Sequence, residues 1–243
     1  MTGRILEYPV YIGTESSQFV AQRVLQFSID CHSDGRVKTI PVRQKSERVG
    51  GTNFGFVRFQ VPSLNRFSGK AVYIDADQVV LEDIRNLFDL VPEQFSIGLV
   101  TNPEGTFNGN NIPAGNQTSV MVLNCSDLAD WKVPKLFSNV VPNREELQSG
   151  QIHYRDFMAL KWFDQSRIFS IPPTWNHFNI VRDDTNLVHF SHVRSQPWMN
   201  PSHELSDWWN EWLVRAVKEG YVSRSRLRFE IWRGHVNRQF HVR

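Results

Sequence analysis

The chain is short of the features that would assign it to several specialised protein classes. Only two cysteines occur in 243 residues, Cys31 and Cys125, so a disulfide scaffold is excluded. Each lies near the end of an apolar run, where a buried free thiol is expected. No stretch approaches the roughly 20 apolar residues that a membrane-spanning helix needs. The opening residues MTGRILEYPVYIG contain no basic segment followed by a long apolar core, so no signal peptide is expected. A cytoplasmic location follows as the simplest expectation, and the sequons at Asn116 and Asn124 then carry little weight. Charge of one sign is also lacking. With 27 basic and 25 acidic residues the formal net charge is +2, too little to imply a nucleic-acid partner. Internal repeats and low-complexity segments are absent.

What is present is ordinary for a folded domain. The apolar content is 40% and the charged content 21%, which excludes global disorder. The length suits one α/β domain over residues 1–200, with residues 201–243 forming a C-terminal amphipathic helix and basic tail packed on it. That tail is uneven in charge, carrying Arg224, Arg226, Arg228, Arg233, Arg238 and Arg243 against Glu230. A basic terminus of this kind suits peripheral contact with lipid headgroups, an anionic acceptor or a partner protein, or forms a solvated face.

Apolar patterning predicts strands alternating with helices. Pro9–Ile12 reads as a first buried strand stopped by Gly13. Phe19, Val20, Val24, Leu25, Phe27 and Ile29 follow with mainly helical spacing. Val37–Val42, Ala71–Ile74, Phe95–Val100 and Ser119–Leu123 are further strand candidates. The segment TNPEGTFNGNNIPAGNQ, from Thr101 to Gln117, reads as a long loop able to close over a ligand. Leu205, Trp208, Trp209, Trp212, Leu213, Ala216 and Val217 mark one apolar helix face, ended by Gly220. Such alternation predicts a largely parallel sheet covered on both sides.

The most informative segment is YIDADQVVLEDI. An apolar strand ends and two carboxylates, Asp75 and Asp77, follow with one residue between them. Ligands of open α/β sheets bind at the carboxyl ends of the strands. Two carboxylates in a partly dry cleft need a counter-charge, which a divalent cation supplies while leaving positions for a diphosphate. Glu82 and Asp83 read instead as helix-start or surface acids.

YIDADQVVLEDI resembles the Asp-x-Asp segment of glycosyltransferase family 8, which includes glycogenin and bacterial lipopolysaccharide sugar transferases. Further segments match in the same order. VYIGTESSQFVAQRVLQFSI is similar to the family's first strand and helix, and FVRFQVPSLNRFSGK to the stretch that brings a basic residue near the donor. TSVMVLN, IPPTWN and VHFSHVRSQPW resemble its later strand, its Pro-x-x-Trp-Asn element and its closing His…Pro-Trp motif. The likeness spans most of residues 8–198. It implies a GT-A fold, Rossmann-like, and a metal-dependent retaining transfer of sugar from a nucleotide-sugar donor, a UDP-sugar, to a hydroxyl of a carbohydrate, lipid-linked or protein acceptor.

By resemblance, Asp75, Asp77 and His189 are the ligands of Mn2+ or Mg2+. Gly13 and Thr14 line the base and ribose, and Asp75, Ala76 and Asp77 border the donor with Arg58. Asp156 resembles the acid that contacts donor-sugar hydroxyls, so Arg58 and Asp156 are the candidate catalytic residues. The closing motif departs from the family: His192 stands where glycine is usual and Gln196 where lysine meets the diphosphate, leaving Arg194 as the expected cationic contact. Phe157 replaces the glutamine that follows the acid. Trp175 and Trp198, flanked by prolines, are candidate walls of an acceptor cleft. Two other readings stay open: a catalytically silent nucleotide-sugar or carbohydrate binder, which the missing glutamine and lysine favour, and a nucleotidyltransferase, although Gly13-Thr14-Glu15 is no Gly-rich basic phosphate loop.

Overall fold

The computed structural model describes residues 8–43, 55–102, 115–131, 154–191 and 195–240. Six strands form the main sheet: β1 (Tyr8–Gly13), β2 (Val37–Val42), β3 (Lys70–Asp75), β5 (Ile97–Asn102), β6 (Gly115–Asn124) and β7 (Ile168–Ser170). Their order is β2-β1-β3-β6-β5-β7. Five of the six point the same way, because β1 pairs parallel with β2 and β3, β6 alone runs antiparallel between β3 and β5, and β7 is parallel to β5. The expected mostly parallel sheet is therefore present, with one reversed strand. β6 begins at Gly115, so the last residues of the expected loop are strand, while residues 103–114 lie outside the described set.

Alternation along the central strands sorts their side chains into two cores. Tyr11, Tyr73, Met121 and Leu123 face one layer, packed on Phe56, Phe59, Phe157 and Trp131. Val10, Ile12, Val72, Ile74, Val120 and Val122 face the other, packed on Leu25, Ile29, Leu87 and Trp175. β3 is buried on both sides, which is why KAVYID reads as a continuous apolar run.

Helix α1 (Phe19–His32) is buried on most of its faces, Gln22, Gln26 and Ser28 included, and the structure supplies the reason. Leu25 and Ile29 face the sheet, while Val20, Val24 and Phe27 face a third core built from Trp209, Trp212, Leu213 and Ala216. Those residues belong to Ser206–Lys218, which carries the predicted apolar face and is followed by Gly220 at φ +81°. Short helices at Val61–Leu64 (α2), Asn86–Leu90 (α3) and Tyr154–Met158 (α4) precede it, making Ser206–Lys218 α5. The basic tail forms one further helix, α6 (Arg224–Trp232), capped by Ser223 Oγ accepting from Arg226 N.

Two expectations of burial are corrected. Cys125 is buried but Cys31 is exposed, since the last turn of α1 reaches the surface beside Arg215. Trp198 is not a cleft wall: it is 2% exposed and packs on Trp209 with ring centroids 5.1 Å apart. Trp175 is equally buried, though its edge borders an open groove of about 520 Å³ with Glu82, Asn86, Asp89 and Asn186.

Candidate metal and donor site

A small second sheet, ordered β4 (Gln78–Val80), β9 (Leu187–His189) and β8 (His177–Phe178), assembles the site. β3 ends at Asp75, the chain turns through Ala76 and Asp77, and β4 starts at once. β9 pairs antiparallel with β4 so that Gln78 lies opposite His189, and Phe190 N donates to Asp77 O at 2.9 Å. That register, set by LVHF against DQVV, delivers an imidazole from a distant part of the chain to the Asp-x-Asp turn. A candidate ligand atom of Asp75, of Asp77 and of His189 all lie within 4.8 Å of one another. All three residues are buried.

Each side chain is held by a different neighbour. Arg58 Nη2 donates to both Asp75 oxygens at 3.1 and 3.2 Å, while its Nη1 donates to Thr118 Oγ1 at 2.6 Å. The Tyr73 hydroxyl donates to Asp75 Oδ1 at 2.5 Å. Burial pushes the Asp75 carboxyl above its ordinary range; Arg58 opposes that shift and the Asp77 charge adds to it. Burial, and then the Asp75 charge, hold the Tyr73 phenol well above its usual value, so it remains a donor. Gly13 pairs with Asp75 across β1 and β3, and a Cβ on it would come 2.0 Å from the Tyr73 hydroxyl. Only glycine leaves room for that contact.

Asp77 is braced from the other side. Gln196 Nε2 donates to Asp77 Oδ2 at 2.9 Å and to Phe190 O at 3.0 Å. Asp77 Oδ1 is buried with no hydrogen bond among the described residues and faces His189 Nε2 at 3.4 Å. Asn176 donates through Nδ2 to Ser119 Oγ at 3.1 Å, so its oxygen meets His189 Nδ1, also at 3.1 Å, and assigns the proton to that nitrogen. In the neutral imidazole, the form that ligates a metal, the Nε2 lone pair is thereby turned toward Asp77 Oδ1. Two lone pairs facing each other in a dry site repel, and a cation between them removes the conflict. One nitrogen and several carboxylate oxygens suit manganese or magnesium.

Unpaired polar atoms recur along the same carboxyl edge of the sheet. Glu15 Oε2 and Gln18 Oε1 follow β1, Gln78 Oε1 follows the Asp-x-Asp turn, and both amide atoms of Asn102 stand at the end of β5, each without a partner among the described residues. Buried polar groups are normally satisfied, so this edge is prepared for something polar.

Seven of the sequence-chosen residues come together. Asp75, Ala76, Asp77, His189, Arg58, Gly13 and Thr14 converge; Ala76 N donates to Gly13 O at 2.9 Å and Thr14 N to Val42 O at 3.0 Å. Asp156 lies in α4 and pairs with Lys161 at 2.7 Å with its side chain 44% exposed. Phe157 is buried in the aromatic core. Arg194 lies outside the described residues. Sequence reasoning missed Gln196, treated as a lost lysine, together with Asn176, Tyr73 and Asn102. Asn176 had a signal, as the last residue of the Pro-x-x-Trp-Asn element. Gln196 had none beyond its place before Pro197-Trp198.

No family model matches the chain. Among curated proteins it is similar to Protein CDI of Arabidopsis thaliana, 26% identical over 241 residues, covering 87% of this chain and 88% of that protein. Among solved structures it is similar to the glycosyltransferase GlyE of Streptococcus pneumoniae TIGR4 (TM-score 0.64, 14% identity), covering 88% of this chain and 63% of GlyE. It is also similar to the galactosyltransferase LgtC, solved with donor and acceptor sugar analogues (TM-score 0.65, 12% identity), covering 94% of this chain and 100% of LgtC. At such identities the likeness is one of architecture: a mixed α/β, mostly parallel sheet flanked by helices, as in glycosyltransferases of the GT-A type.

Proposed function

We propose that the protein is a metal-dependent glycosyltransferase that moves a sugar from a nucleotide-sugar donor, a UDP-sugar, to a hydroxyl acceptor, in the manner of family 8. The observation that carries this reading is Asp77 Oδ1, buried, unbonded and 3.4 Å from His189 Nε2 at the end of a central strand. Asp75, Asp77 and His189 would hold the cation. When bound, a divalent ion stabilises the negative charge that develops on a departing diphosphate.

The remaining groups act by position and charge. Arg58, fixed by Thr118, neutralises Asp75 and offers its guanidinium to the same edge of the sheet. Gln196 and Asn176 set the orientation of Asp77 and His189. Glu15 and Gln18 supply acceptors for a base or ribose, and Asn102 offers a donor and an acceptor suited to a sugar hydroxyl. No carboxylate is positioned as a nucleophile in this set, which fits retention by same-face attack of the acceptor.

The test is a thermal-shift and titration series with UDP-sugars, with and without Mn2+, followed by assay of UDP release and the anomeric configuration of the product. Stabilisation by nucleotide that needs the metal and is abolished by chelation is the expected result. Absence of any shift with every nucleotide and metal combination would sink the proposal. A silent binder is favoured by Phe157, buried where the family carries a glutamine. It would bind donor but release no UDP.

A further inference from the structure

The basic C-terminal helix is not absorbed by the site, and its outward face is unusual. Trp232 is 74% exposed and Phe229 42%, the two aromatic side chains most open to solvent among the described residues. In α6, Leu227 and Glu230 point inward. At about 100° per residue, Phe229 and Trp232 fall on the side directly opposite them. Arg224 and Arg228 flank that pair on one side, Arg226 and Arg233 on the other. Arg226 and Arg233 stack on the Phe229 ring at 5.3 and 5.8 Å. Glu230, the one acid of the helix, is buried and bound to Arg226 and His235, so the outward face carries no exposed negative charge.

We infer that this face docks on an anionic lipid surface, with Trp232 and Phe229 at the headgroup boundary and the arginines on acidic headgroups. Charge decides the occupant. A second copy related by a two-fold axis would set arginines against arginines. A convex helix with two protruding rings offers no pocket for a protein's anchor residues, but suits a planar, yielding surface.

The placement gives docking a purpose. Arg226 also stacks at 4.3 Å on Phe19, the first residue of α1, just beyond the strand end formed by Gly13 and Thr14. After α6, Asn237 N donates to Trp198 O at 2.8 Å, two residues from the Gln196 that holds Asp77. The helix is thus anchored to the carboxyl edge of the sheet, and an acceptor carried by a lipid would be presented on the side where the site lies.

Co-sedimentation with phosphatidylcholine vesicles, with and without about 30% phosphatidylserine, tests this without a nucleotide sugar. The wild type should sediment with acidic vesicles, bind neutral ones about tenfold less, and be released as salt rises toward about 0.5 M. The double variant Phe229→Ala/Trp232→Ala and the double variant Arg224→Glu/Arg228→Glu should each bind about tenfold more weakly, with unchanged far-UV circular dichroism and unchanged Mn2+ affinity. The idea is overturned if the wild type stays in solution with acidic vesicles at low salt, or if the aromatic variant binds as well as the wild type. It is also overturned if light scattering shows a dimer that Trp232→Ala dissolves. None of these outcomes bears on sugar transfer, so failure here leaves the proposed reaction standing, and the reverse holds too.

Discussion

Two clusters of charge are built from nearly the same parts and behave oppositely. At the carboxyl edge of the sheet stand two aspartates with an arginine and a histidine: Asp75, Asp77, Arg58 and His189. Before β2 and α3 stand two aspartates with two arginines: Asp34, Asp83, Arg36 and Arg85. In the outer cluster every carboxylate oxygen accepts from an arginine, with Arg36 on Asp34 at 2.7 Å and Arg85 bridging Asp34 and Asp83 at 2.8 and 2.5 Å. Arginine hydrogen bonds hold Asp34 and Asp83 below the usual carboxylate range. In the inner cluster burial pushes Asp75 the other way, and one Asp77 oxygen accepts no hydrogen bond from the described residues. Completed pairing marks charge that serves the fold. Incomplete pairing in a dry place marks charge kept for a ligand.

Replacing Asp77 should break that contrast most sharply. Asp77→Asn keeps an oxygen for Gln196 but removes the unpaired charge. Mn2+ affinity, read by isothermal titration, should fall by about a hundredfold or more. The metal-free melting temperature should stay level or rise, because a like charge beside Asp75 is gone. A lower melting temperature with metal binding intact would instead make Asp77 a structural residue.

Arg58 should show the opposite balance. Arg58→Met leaves Asp75 buried without its cation, and urea unfolding should report a loss on the order of 3 kcal/mol. Part of that loss should return in the double variant with Asp75→Asn, since both charges are then absent. Gln196 comes third. Gln196→Leu frees Asp77 Oδ2, and a roughly tenfold loss of Mn2+ affinity is expected with little change in melting temperature. Gln196→Lys should weaken the metal too, by placing a cation against Asp77; tighter metal binding would contradict the brace.

The order of these effects follows how much of the site could be read from the chain. Strands and α1 were legible because AVYI is an apolar run after the turn residues Ser68-Gly69, VKTIPV carries β-favouring Val, Thr and Ile, and α1 repeats its apolar residues with helical spacing, all of them local patterns. Asp75, Asp77 and His189 were legible through resemblance, since residues 112 positions apart carry no shared local signal. Gln196 was not, because its role depends on Phe190 and Asp77 lying within hydrogen-bond reach of one amide. Nor was the reversal of β6, since a buried strand reads the same in either direction.

The smallest effect belongs to the outer cluster, and it completes the comparison. Asp34 and Arg36 are nearly half exposed, so solvent screens their pairing and side-chain ordering offsets much of it. Asp34→Asn should therefore shift the melting temperature by no more than about one or two degrees at neutral pH. The sign of its pH dependence is fixed by the direction of the shift. Asp34 has a folded pKa below its unfolded value of 3.8, so its contribution is present above that value and is lost as pH falls through the lower, folded one. Melting curves of wild type and variant should differ by the same small amount from about pH 8 to 5 and converge in stronger acid. A difference growing toward alkaline pH would mean that Asp34 is strained rather than paired. The distinction drawn between completed and incomplete charge would then fail at its simpler end.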